Sequence, residues 1–280
     1  MNAATAAPGL LGDTSARDYA RKLTLFNAFA APEIRLAIAS LALEPGMRVL
    51  DAGCGTGEAL GWLSAAVQPG GTVVGIDLST AHVTAARTKA PEGSLVIQGD
   101  LQRAPLAAAS FDVIWSSNTF NHFRDRLEAV KAVSGLLRPG GRIAFAQSAF
   151  LPDMVFAWDS RLERLTNEAV RRYYRDRYSL EERDLADIRA IVGLLRSAGL
   201  SRVTARTFVI ERVLPLRPED EDYLLEAIFQ KTWGARLKPY LAPADYEELS
   251  RLCDPQHPEF ALRRPDFHFL QTFTLVVGEV

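Results

Sequence analysis

Asp51, Gly53, Gly55 and Gly57 alternate through one short run, VLDAGCGTG, residues 49–57. Apolar residues lead into an acidic side chain, and glycine then occupies every second position. Glycine has no Cβ, so such a loop reaches positive φ and lets a ligand lie against the main chain. The amphipathic stretch from Ala59 to Val67 can then open a helix whose first N–H groups face that ligand. The chemistry this predicts is a nucleotide-type site at the end of a first strand. The dinucleotide fingerprint is G-x-G-x-x-G, with its third glycine where helix packs on strand. Here the pattern is G-x-G-x-G, and Glu58 stands where that third glycine is expected. Asp51 would repel a pyrophosphate and suits a ligand that carries an ammonium or a hydroxyl.

Further segments have to position that loop. Residues 72–78, TVVGIDL, read as a second strand ending in Asp77 and Leu78. An acidic residue roughly 20 positions past the loop can accept both ribose hydroxyls. Residues 94–100, SLVIQGD, give a third strand ending in Asp100. Residues 111–118, FDVIWSSN, give a fourth that delivers Ser116, Ser117 and Asn118. Residues 136–147, LLRPGGRIAFAQ, read as a helix end, a Pro-Gly-Gly turn and a fifth strand. In this order and spacing, residues 45–148 resemble the class I S-adenosylmethionine-dependent methyltransferases, of the small-molecule type 11 and type 25 kind.

The resemblance implies a set of roles. Gly53, Cys54, Gly55 and Gly57 shape the loop, and Asp51 sits near the methionine ammonium of S-adenosylmethionine. Asp77, with Leu78 beside it, takes the ribose. Asp100 takes the adenine amino group and Leu101 covers the ring. Ser116 and Asn118 hold the cofactor or face the substrate, and Tyr19 lies near the methionine end. The implied fold is α/β: a Rossmann-like, mostly parallel sheet of seven strands with helices on both faces. Its last strand, within residues 265–280, inserts antiparallel between the fifth and the sixth, residues 202–212.

The chain divides on this reading into residues 1–44, helices that cover the cofactor; 45–148, the cofactor-binding core; and 149–280, which completes the sheet. The covering helices are expected at 15–30, with Ser15 as N-cap, and at 32–43. Two helical insertions, at about 150–180 and 214–264, would form a substrate cap at the carboxyl ends of the strands, where ligands bind in open α/β sheets. Helices are expected at 152–178, 181–198, 219–233 and 243–253. Phe150, Met154, Phe156 and Trp158 are candidates to line an apolar pocket or to fill its core.

Methyl transfer from a sulfonium is an in-line displacement, so the protein mainly positions and desolvates. An oxygen or nitrogen nucleophile can also need a base. His122, after the fourth strand, is the candidate base, with packing beside the cofactor as its plainer role. His82 reads as structural, His257 as a loop residue of the cap and His268 as a residue of the last strand; Asp153 and Asp159 are alternative bases or helix caps. Asn118-Thr119-Phe120 departs from the N-P-P-Y tetrad of amino- and DNA-methylating members, which argues against nucleic-acid bases as acceptors.

Composition narrows the classes. The 32 Lys and Arg balance 34 Asp and Glu, a net charge of −2, so no basic field points to nucleic acid or anionic lipid. The arginines between Arg161 and Arg177 interleave with acids and read as a solvated helix face. Two cysteines cannot build a metal cluster and no metal is expected. No basic-then-apolar leader and no span of about 20 apolar residues is seen, so a cytoplasmic protein is expected. The expected partners are a small-molecule substrate and a second copy of the chain, as a homodimer. The expected activity is methyl transfer to an O, N or C nucleophile of a small metabolite or natural product. A sulfonium-dependent reaction without methylation, such as a cyclisation, a non-catalytic cofactor-binding protein and a nicotinamide dehydrogenase are the alternatives.

Overall fold

The computed structural model describes residues 20–179 and 187–280. Ser15 and Tyr19 lie outside the described residues. Seven strands form one sheet: β1 (Arg48–Ala52), β2 (Thr72–Asp77), β3 (Leu95–Gln98), β4 (Phe111–Ser117), β5 (Leu137–Ser148), β6 (Ser201–Val213) and β7 (His268–Glu279). Their order is β3-β2-β1-β4-β5-β7-β6. The first five pair in parallel, and β7 runs antiparallel to both β5 and β6. This is the Rossmann-like arrangement the resemblance implies. β4 explains why the central strands are legible: its first six residues, Phe111 to Ser116, are all buried, as a strand covered on both faces requires.

Nine α-helices are described: α1 (Ala20–Phe29), α2 (Ala31–Ala39), α3 (Glu58–Val67), α4 (Thr80–Lys89), α5 (Arg126–Ser134), α6 (Ser160–Tyr178), α7 (Asp187–Ser197), α8 (Pro218–Asp222) and α9 (Pro243–Cys253). α5 and α7 cover one face through Val130, Val133, Ile191 and Leu195, which meet Ile114, Ile143, Phe145 and Val276 of the sheet. The other face carries α1 to α4 and, continuous with them, the aromatic interior of the C-terminal half: Phe156, Phe229, Trp233, Phe260, Phe269 and Phe273.

Three elements differ from the sequence reading. The helix expected from residue 152 begins at Ser160. Before it, Met154 forms a bridge to Leu270, and Glu163 accepts from the backbone N–H groups of Val155 and Phe156 at 2.6 and 2.7 Å. That carboxylate holds the segment in an irregular turn, and Asp159 caps α6 by accepting from Leu162 N–H at 2.9 Å. The Pro-Gly-Gly segment does not precede β5 but lies within it as a bulge, with the pairing to β4 shifting between Phe111 and Val113. The helix expected over 219–233 is α8 followed by a π-helical stretch, Tyr223–Thr232, closed by Trp233 N–H donating to Ile228 O, five residues back.

Candidate cofactor site

The glycine loop is fastened to β2. Gly53 and Cys54 N–H both donate to Ile76 O, at 2.8 and 3.0 Å, and Gly55 N–H donates to Asp77 Oδ2 at 2.9 Å. Positive φ is demanded where neighbours press closest. Gly53 (φ +79°) faces Thr119, with which a Cβ would collide. At Gly57 (φ +87°) a Cβ would fall 2.8 Å from Ala86 Cα of α4. Gly57 therefore serves the close packing that a third glycine serves in the dinucleotide fingerprint, against a helix rather than a strand.

Asp51 ends this system in an unusual state. It is 2% exposed, and its Oδ2 has no hydrogen-bond partner among the described residues. Burial first, then the charges of Asp77 and Glu58, push its carboxyl up to about 8. A cationic or hydrogen-donating ligand group is what such a side chain lacks.

Asp77 is well partnered. Its Oδ1 accepts from Ser79 N–H at 2.9 Å and lies 3.2 Å from His82 Nδ1. Leu78, next in the chain, is exposed at the lip of the strand. Asp100 follows Gly99, whose N–H donates to Asp77 O at 3.0 Å. Its own Oδ1 accepts from Gln102 N–H at 3.0 Å. Asn118 adopts φ +53° and its Oδ1 accepts from Ser148 N–H and Oγ, at 2.8 and 3.0 Å, tying the ends of β4 and β5 together. Next to it, Thr119 Oγ1 donates to Ser117 O at 3.0 Å and reaches Gly53 O at 3.4 Å. His122 closes the short 3₁₀ turn Phe120–His122, its N–H donating to Thr119 O. Asp51, Gly53, Gly55, Asp77, Leu78, Asp100, Asn118 and His122 thus share the carboxyl edge of β1 to β4.

Three named residues have other surroundings. Cys54 is buried, its Sγ turned toward Gly75 of β2, where a Cβ would lie 3.0 Å away. Ser116 is buried and donates to Ala52 O at 2.6 Å, a cross-strand bond to β1. Leu101 is buried in the core on the α5 face.

A cover lies over the loop, and much of it escaped the sequence reading. Leu23 of α1 sits over Gly55, 3.1 Å from where a Cβ would be. Glu58, read only as a missing glycine, accepts from Thr56 Oγ1 at 2.6 Å and from Asn27 Nδ2 of α1 at 3.1 Å, and pairs with Lys89 of α4. Burial opposes ionisation there, but Lys89 and Thr56 hold the carboxyl below its usual range. α1 also joins the C-terminal half. Phe29 stacks on Tyr223 at 4.3 Å, and Arg21 pairs with Glu226 at 2.8 Å. An acid directly after the loop, four residues ahead of a predicted tryptophan-bearing helix face, was the available signal for Glu58; none existed for Tyr223.

The site can be tested against a cofactor. S-adenosylmethionine would bring an ammonium to Asp51, whose Oδ2 lacks a partner among the described residues, and a neutral nucleoside to Asp77 and Asp100. A dinucleotide would bring its diphosphate to the loop that Asp51 and Glu58 flank. The residues fit the first ligand and not the second.

Comparison with known proteins agrees. Residues 50–145 match the family model described as a methyltransferase domain. Residues 50–145 form a methyltransferase domain of the class I, S-adenosylmethionine-dependent kind. The chain is 38% identical over 119 residues to a nocamycin O-methyltransferase of Saccharothrix syringae, covering 41% of this chain and 42% of that protein. It is 33% identical over 117 residues to the 27-O-demethylrifamycin SV methyltransferase of Amycolatopsis mediterranei, covering 40% and 42%. The chain thus spans about two fifths of the length of these relatives. Among solved structures, the YcgJ protein of Bacillus subtilis shares the methyltransferase domain's fold with a TM-score of 0.53 at 20% identity, over 89% of this chain and 98% of that one. Among the described residues, no helix is long and apolar enough to cross a membrane.

Proposed function

We propose that this protein transfers the methyl group of S-adenosylmethionine to an oxygen, nitrogen or carbon nucleophile of a small organic molecule. The observation that carries this reading is the buried Asp51 side chain, whose Oδ2 has no hydrogen-bond partner among the described residues, beside a glycine loop latched to Asp77. When bound, the cofactor supplies a methyl group already activated on a sulfonium.

The chain's own residues do the rest. Asp51 takes the methionine ammonium, and the loop shaped by Gly53, Gly55 and Gly57 admits the methionine chain. Asp77 holds the ribose, and Asp100 holds the adenine. Leu23 over Gly55 and the C-terminal aromatic interior exclude water, which favours the displacement. His122 accepts the proton of an oxygen or nitrogen nucleophile.

The acceptor lies, in this proposal, between the ends of β4 and β5 and α6. Phe150 meets Tyr174 edge to face at 4.9 Å there. Gln271 Nε2 donates to Ala149 O at 2.9 Å, while its buried Oε1 has no hydrogen-bond partner among the described residues. An aromatic pair with one unused amide carbonyl suits a largely apolar acceptor that bears a donor group. The names of the relatives favour oxygen as the acceptor atom and natural products as the class.

Calorimetric titration with S-adenosylmethionine, S-adenosylhomocysteine and NAD tests the cofactor. Micromolar binding of the two sulfur compounds and none of NAD is expected. Mass spectrometry of an acceptor panel should then show a methyl adduct. Binding without S-adenosylhomocysteine formation on any acceptor would favour a reaction other than methylation, and binding of NAD alone would overturn the reading.

A further inference from the structure

We propose that His82 is a positioning residue that aims the Asp77 carboxylate at the cofactor ribose. The proposal rests on the assignment of Asp77 to the ribose.

On the sequence alone His82 reads as structural. The geometry assigns it more. Ser79 caps α4 by accepting from His82 N–H at 3.4 Å, which starts the helix directly after β2. That tight start folds the first turn of α4 back beneath the strand end. The imidazole, 8% exposed, comes to 3.2 Å from Asp77 Oδ1, in a carboxylate itself only 14% exposed. A histidine in bulk contact with the core has no need of a carboxylate, whereas here the ring nitrogen nearest the main chain meets one.

Counting acceptor sites sharpens the point. An ionised carboxylate offers about four lone-pair sites. Among the described contacts Asp77 uses three: Gly55 N–H on Oδ2, and Ser79 N–H and His82 Nδ1–H on Oδ1. About one site is left, so the carboxylate accepts from one ribose hydroxyl rather than both. Which hydroxyl it meets depends on the carboxylate's rotation. Gly55 and Ser79 act through backbone N–H groups that every residue but proline supplies. His82 is the side chain that sets the rotation. A histidine whose Nδ1–H donates is also fixed in one tautomer by that bond.

The test compares ligands with and without the group in question. Dissociation constants for S-adenosylhomocysteine and its 2′,3′-dideoxy analogue are measured by calorimetry for the wild type, His82→Leu and His82→Gln, with thermal melts as a check on folding. His82→Leu is expected to weaken S-adenosylhomocysteine about tenfold, the scale of one hydrogen bond to a charged group, and the dideoxy analogue less than about twofold. His82→Gln, which keeps an N–H donor, should recover part of the loss. Equal weakening of both ligands would mean that the ring only fills space, and no weakening of either would mean that the contact is idle; each overturns the proposal. Should His82→Leu not fold, the same ligand comparison on His82→Gln decides. A wild type that binds both ligands alike would instead overturn the ribose assignment of Asp77, and the proposal with it. A wild type that binds neither would overturn the cofactor reading.

Discussion

In the glycine loop, main-chain groups do the fastening: Gly53, Cys54 and Gly55 all donate their N–H to β2 or its terminal carboxylate. In the cover, side chains do it across long stretches of sequence. Arg212 of β6 donates to both Glu33 oxygens on α2, at 2.8 and 3.0 Å, to Asp220 at 2.8 Å and to Phe29 O at 2.6 Å. Its guanidinium also lies 4.8 Å from the Phe29 ring centroid. Arg217 shares Asp220 and Phe29 O. A main-chain latch tolerates most side chains, provided glycine stands where neighbours press. A side-chain knot fails when one member changes. The loop should therefore respond to mutation in ligand affinity, and the cover in stability.

That contrast can be broken in four ways, the largest first. Arg212→Ala would leave Glu33 and Asp220 as buried charges without their shared cation. A loss of about 3–5 kcal/mol in urea unfolding is expected, far more than for any single change among the exposed arginines of α6. If Arg212→Ala instead unfolds like the wild type, the cover is not held by this knot.

His122→Ala should lower turnover about 100-fold while leaving cofactor affinity near that of the wild type, as loss of a base would. The opposite split, slight in turnover and large in affinity, would make His122 a packing residue. Next, Asp77→Ala should weaken S-adenosylhomocysteine by about 2–3 kcal/mol, roughly 30- to 150-fold, through the lost ribose and Gly55 contacts together. An unchanged dissociation constant would remove Asp77 from the site.

The last change involves one proton. Asp51 carries it in the folded protein up to about pH 8, while the unfolded chain releases it near pH 4. The folded state therefore binds more protons between those values, and stability falls as pH rises through that window. Asp51→Asn should flatten this part of a melting-temperature profile. Cofactor titrations at pH 7 in buffers of different ionisation enthalpy should report about one proton released by the wild type and none by the variant. A flat wild-type profile would mean that Asp51 is already ionised and paired.

The same contrast explains what could be read from the chain. The loop, the acids after β1 and β2 and the apolar strand runs are local patterns, so the first five strands and the loop's place among them were legible from residues 45–148, while the place of β7 came from the family resemblance. The Arg212 knot joins residues 179 positions apart, and no local spacing announces such a pair. Glu58 was visible but misjudged, because a missing glycine draws attention to what is absent. Residues 152–159 have helical composition, yet two N–H groups captured by Glu163 offer the backbone a better bond than a helical turn would.

The strand order has a consequence for how the molecule is made. β7 comes latest in the sequence among the described strands, yet it lies between β5 and β6, pairing Phe145 with Val276 and Val276 with Ala205. β5 and β6 have no bonds to each other in the sheet. During synthesis β6 therefore has no neighbour, and one edge of β5 stays open, until residues 268–279 leave the ribosome. The parallel half can assemble earlier, but the cover gains its floor only once β7 has emerged. Removing β7 would thus detach β6, together with the knot that Arg212 ties.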